Sequence, residues 1–102
     1  MSHSDLKSHK MNRQEARKLV NVIMAGKHQS VVFTKHAREE LLKDNLTTVD
    51  AINVLKSPDA KILDEGELEN GTYRYRLETT KICLVVAFES AKTLIVVTAW
   101  RK

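Results

Sequence analysis

Hydrophobic and polar positions follow two different periods along this chain, and the period changes once, near residue 60. Before that point the spacing is helical. Ala16, Leu19, Val20, Ile23 and Met24 recur at i, i+3, i+4, i+7 and i+8, which places them on one stripe of a helix. Asn12 and Glu15 form a capping box at its start, and Gly26 suits the position just past its end. A short apolar run, Val31 to Phe33, precedes a second helix capped by Thr34, with Ala37, Leu41 and Leu42 on its inner face. Thr47 and Asp50 make a capping box for a third helix carrying Val49, Ile52 and Leu55, which ends at Ser57-Pro58 because the residue before proline leaves the helical region.

After residue 60 the spacing is that of strands. Lys61 to Leu63 reads as a strand, and Asp64 to Gly71 as an acidic connection. From Gly71 to Arg101 three strand-like runs follow with short breaks. In the first, Tyr73, Tyr75 and Leu77 face one way and Arg74, Arg76 and Glu78 the other. The second, Ile82 to Phe88, is apolar throughout, as expected of a central strand covered on both faces. A turn at Glu89 to Lys92 leads to the third, which closes on Trp100, Arg101 and Lys102. Helices precede strands without β-α-β alternation. The pattern therefore predicts an α+β fold, three helices preceding a mainly antiparallel sheet of about four strands.

Composition narrows the functional classes. At 102 residues the chain is expected to form one domain over residues 12–102, with residues 1–11 as a flexible N-terminal tail. No apolar segment approaches the roughly 20 residues of a membrane span, and the first dozen residues are polar, so a cytoplasmic protein without a membrane partner is expected. Seventeen Lys and Arg against 13 Asp and Glu give a net charge of +4, which suits a polyanionic or acidic partner. The lone cysteine, Cys83, lies in the most apolar run and reads as a small core residue.

The candidate chemistry follows from what is missing and what remains. His3 and His9 in the tail have no ligand partners at a useful spacing, and no metal is expected. The three glycines, at 26, 66 and 71, form no phosphate-binding loop, and no cofactor is expected. What remains is His, Arg, Lys and Tyr around a small sheet. Such a set suits RNA cleavage, in which the 2′-hydroxyl attacks the adjacent phosphate. An acid and a base move protons, and cations hold the charge that grows on the phosphate. Arg fits the last role through its planar fork of donors.

The segment VVFTKHAREELL, the capped helix after it, the Ser-Pro-Asp break and the strands RYRLE, ICLVVAF and LIVVTAW together resemble an uncharacterised bacterial domain family with a Lys-His-Ala helix start. That family is similar in layout to the small RelE-like toxins of toxin–antitoxin pairs, including the motility quorum-sensing regulator (MqsR) toxin and the BrnT group. The resemblance covers roughly residues 12–102. It implies a RelE/barnase-like fold, metal-independent ribonuclease activity on RNA, including ribosome-bound mRNA, and a cognate antitoxin protein as partner. It implies His36, Arg74, Arg76 and Arg101 as catalytic residues. Lys35, Arg38, Trp100 and Lys102 are the further RNA-binding candidates, Trp100 as a stacking platform. The chain departs from the family pattern at Glu40 and at Asp44 and Asn45, where arginines are usual. Those departures favour the alternative expectation, a non-catalytic RNA- or protein-binding module.

Overall fold

The computed structural model describes residues 10–26, 30–63, 66–69 and 71–102. The elements, in chain order, are α1 (Arg13–Ala25), β1 (Ser30–Phe33), α2 (Lys35–Lys43), α3 (Thr48–Lys56), β2 (Lys61–Ile62), β3 (Glu67–Glu69), β4 (Thr72–Glu78), β5 (Ile82–Phe88) and β6 (Thr93–Arg101). The expected caps are in place. Asn12 and Thr47 each close a capping box, with Glu15 and Asp50, and the Thr34 hydroxyl accepts from the Ala37 amide. Each such cap contributes about 1 kcal/mol.

The sheet differs from the sequence-based expectation. It has six strands, not about four, in the order β1-β6-β5-β4-β2, with β3 also paired to β4. It is mixed, because β1 runs parallel to β6 with Phe33 opposite Val96. The helices do not all precede it, since β1 lies between α1 and α2. The class remains α+β, but a helical block followed by a four-stranded antiparallel sheet, the RelE/barnase-like layout, is not what the chain forms. Two strands account for the difference. The four residues of β1 are too few to set a clear period, and their partner strand lies some 60 residues away. The β3 residues are exposed throughout, so no burial pattern distinguishes Glu67-Leu68-Glu69 from a loop. The expected acidic connection therefore contains a strand, while Asp64, Glu65 and Asn70 lie outside the described residues. As expected, β5 is central.

One face of the sheet carries Tyr75, Leu77, Leu84, Val86, Phe88, Leu94, Val96 and Ala99, which join α1, α2 and α3 in a single core. Cys83 and Ala87 are buried but lie outside that core cluster. They belong to the opposite face, in register with Glu78 and Trp100 and with Arg74 and Ile95. Tyr75 is 1% exposed, and its hydroxyl accepts from the Met11 amide at 2.9 Å. Met11 is itself buried, so ordered packing begins inside the expected tail. Residues 1–9 of that tail, with His3 and His9, lie outside the described residues, as do residues 27–29 of the expected loop.

The β6 edge is covered in two parts. β1 pairs with its first half, Thr93 to Val96. Beyond Val96, α2 takes over. The Thr34 amide donates to the Val96 carbonyl at 3.1 Å and its hydroxyl to the Val97 carbonyl at 2.8 Å. At the far end the Arg101 amide donates to the Asp44 carboxylate at 2.8 Å. Val97 is the extra residue of a β-bulge, since Val85 faces Thr98 while Val86 faces Val96. The bulge sits where Thr34 binds, so it sets the point at which α2 begins. Asn45, at φ 60°, ends α2 in the left-handed region that Asn tolerates. The Leu46 amide then reaches the Leu41 carbonyl and the Asn45 amide the Leu42 carbonyl, a Schellman closure.

Burial, and next the negative charge of Glu78, push the Cys83 thiol up to about 11. The fold thus favours the protonated thiol. Its contribution to stability is complete below the ordinary thiol value of about 8.5 and is lost as pH rises through about 11. Two outcomes are expected. The native protein at pH 8 should leave a thiol reagent unreacted until denaturant is added. Cys83→Ala should lose less stability than wild type between about pH 8 and pH 11 in urea titrations.

Candidate functional site

Position on β4 decides which side chains reach the face opposite the core. Tyr75 and Leu77 point into the core, so Arg74 and Arg76 must emerge on the other side. There they meet the N-terminal turn of α2. A cleft of about 400 Å³ is lined by His36, Glu67, Glu69, Arg74, Tyr75, Arg76, Val85, Val97 and Thr98. His36 reaches it because Thr34 fixes the start of α2 at the Val97 bulge. Val97 and Thr98 form one wall and β3 supplies the acidic rim.

The two arginines are held differently. Arg74 lies in register with Glu67, and its Nη1 is 3.4 Å from the Glu69 carboxylate. Its Nε is buried and, among the described residues, has no hydrogen-bond partner. A buried charged donor left in that state costs more than the roughly 1–3 kcal/mol of a neutral one, and an acceptor entering the cleft would satisfy it. Arg76 sits with its guanidinium carbon 5.9 Å from the centroid of the Trp100 ring, a cation–π contact that restrains the fork. Cations and carboxylates therefore share one concave site, the combination that acid–base chemistry at a phosphate requires.

Of the residues expected from sequence, His36, Arg74 and Arg76 are brought together, and Trp100 adjoins them through Arg76. Lys35 and Arg38 are exposed on α2 and do not line the cleft. Arg101 does not line it either. Its Nε and Nη2 donate to the Asp44 carbonyl at 3.3 and 3.2 Å, so it ties the end of β6 to the end of α2. Lys102 donates to Glu78 at 2.7 Å and lines a smaller cleft with Asp59 and Lys61. Asp44 and Asn45, where the family pattern favours arginine, serve the closure of α2 and the Arg101 contact.

Glu67 and Glu69 were not singled out by sequence reasoning. Their one signal was the Glu-Leu-Glu alternation preceding the Tyr-Arg-Tyr-Arg strand, which places both carboxylates on one side. Among the described residues no group of three His, Cys, Asp or Glu side chains is placed to hold a metal ion. Among the same residues no helix is long and apolar enough to cross a membrane.

No curated protein and no solved structure matches the chain. A family model does match, over residues 33–101. The match opens at Phe33, the first residue of the FTKHA segment, and takes in every element that lines the cleft: the α2 start, β3, β4, β5 and the β6 bulge. Covering well over half the chain, it assigns this protein to the family described as Domain of unknown function (DUF4258).

Proposed function

We propose that the protein is a metal-independent endoribonuclease whose active site is the cleft between α2, β3 and β4. The observation that carries this is the convergence of His36 with Arg74 and Arg76 in one concave site. In the proposed reaction the ribose 2′-oxygen attacks the adjacent phosphorus and the bond to the 5′-oxygen breaks, leaving a 2′,3′-cyclic phosphate. Glu67, opposite Arg74 on β3, takes the 2′ proton. His36 gives a proton to the departing 5′-oxygen, so the proton count balances. Arg74 and Arg76 hold the equatorial phosphate oxygens as charge develops there, and Arg74 Nε gains the acceptor it lacks. Trp100, with Arg76 beside its ring, offers a flat surface for a neighbouring base.

A ribonuclease that acts on mRNA arrests its host and needs a neutralising antitoxin, so a cognate antitoxin protein is the expected partner. Induced expression in a bacterial host tests this reading. Wild type is expected to arrest growth and degrade bulk mRNA, and His36→Ala is expected to do neither. Unimpaired growth with intact mRNA at full wild-type expression would leave a phosphate-binding module without catalysis, the second reading, which the cleft's mixture of cations and carboxylates does not favour.

A further inference from the structure

A second concave site lies apart from the cleft, between α1 and β2, with a volume of about 490 Å³. Its polar lining comes from Arg13, Gln14, Arg17, Lys18, Asn21 and Lys61. Four of these are cations and no carboxylate is among the lining residues, although Lys61 at the groove's rim also lines the neighbouring smaller cleft with Asp59 and Glu78. Mixed surfaces normally intersperse the two signs, so a groove of one sign concentrates field and attracts the opposite charge. The two arginines are also fixed in place. Arg13 Nη1 donates to the Leu63 carbonyl at 3.2 Å, and Arg17 donates to the carbonyls of Leu55 and Ser57 at 3.3 and 2.5 Å. These acceptors are neutral, so both guanidinium groups are oriented without having their charge cancelled.

We propose that this groove binds the phosphodiester backbone of single-stranded nucleic acid. Spacing supports that ligand. Residues 13, 14, 17, 18 and 21 form one face of α1, spanning about 12 Å at a rise of about 1.5 Å per residue. That length is enough to face consecutive phosphates of one strand. Arg, Lys, Asn and Gln are the side chains that contact phosphate and sugar without reading sequence. The placement is consistent with a single polymer. β2, which lines the groove, and β3, which rims the cleft, pair with the same edge of β4, so one strand has a charged path to either side of that edge. Binding in the groove does not require cleavage in the cleft.

The test is fluorescence anisotropy with a single-stranded 2′-O-methyl oligonucleotide of about 12 residues, which lacks the 2′-hydroxyl nucleophile. Affinity is followed between about 50 and 200 mM salt. Lys18→Gln/Lys61→Gln removes two groove cations whose side chains are exposed. It is expected to reduce the slope of log K against log salt by about 1.4, at about 0.7 per phosphate for a single strand, and to weaken binding at least about tenfold at the low-salt end. Lys81→Gln/Lys92→Gln, two exposed lysines outside the groove, is expected to leave the slope unchanged. Equal slopes for wild type and the groove variant overturn the proposal. So does an equal drop in the control pair, and so does tighter binding of polyglutamate than of the oligonucleotide, which would indicate an acidic protein ligand. Lys18→Glu alone, on the solvent face of α1, gives the same readout if the double variant fails to fold. Cleavage of ordinary RNA by cleft variants is measured separately, so the two sites fail or stand independently.

Discussion

Replacing Arg74 or Arg76 with alanine is expected to lower the rate of RNA cleavage by about 10²-fold or more in each case. The effect should fall mainly on kcat, because the negative charge these groups stabilise is greatest in the transition state. Neither loss should come from unfolding. Arg76 is exposed and lies outside the core. Arg74 forms an ion pair with Glu69, whose side chain is 61% exposed, and such a pair contributes little to stability. Lysine at either position should restore part of the rate and not all of it, since an ammonium supplies charge without the planar fork. Unfolding midpoints measured alongside the rates separate the two causes. Both variants should unfold close to wild type, and a full wild-type rate in both would remove the arginines from the chemistry.

The largest expected effect on stability is at Tyr75. The ring is 1% exposed and lies 5.6 Å, centroid to centroid, from Phe88. It also lies under Gly66, where an added Cβ would approach a ring carbon to 2.7 Å. Tyr75→Ala should cost about 3–5 kcal/mol, the range for deleting a large aromatic from a packed core. For a domain of this size that is a large fraction of the whole. Tyr75→Phe is the more informative change. It keeps the ring and deprives the buried Met11 amide of its acceptor, which should cost about 1–3 kcal/mol. Urea unfolding of both variants gives the two numbers. A Tyr75→Phe protein as stable as wild type would mean that the Met11 amide finds another acceptor.

Which parts of this architecture were legible in the sequence depended on how local their cause was. The caps at Asn12, Thr34 and Thr47 were legible because each couples residues three apart. The shared face of Arg74 and Arg76 followed from strand alternation between tyrosines. The meeting of His36 with those arginines had no local cause. It depends on the parallel pairing of β1 with β6 and on the Val97 bulge that Thr34 binds, contacts between residues about 60 apart. The family resemblance, not periodicity, pointed to His36. β3 was hidden because its residues are exposed on both sides, and with it the acidic rim of the cleft. Arg101 shows the converse. The family resemblance pointed to it as catalytic, and its guanidinium holds the Asp44 carbonyl, a contact between residues 57 apart that no local pattern announces.

The most direct measurement is cleavage of a defined single-stranded RNA by the purified protein in excess chelator, with wild type beside Arg74→Ala/Arg76→Ala and an all-deoxy substrate as control. Wild type should cut the RNA, leave 2′,3′-cyclic phosphate ends, spare the deoxy strand and keep its rate in the chelator. The double variant should be inactive while folded. Intact RNA with folded wild type, cutting of the deoxy strand, or equal cutting by the double variant would contradict an active site built from His36, Arg74 and Arg76.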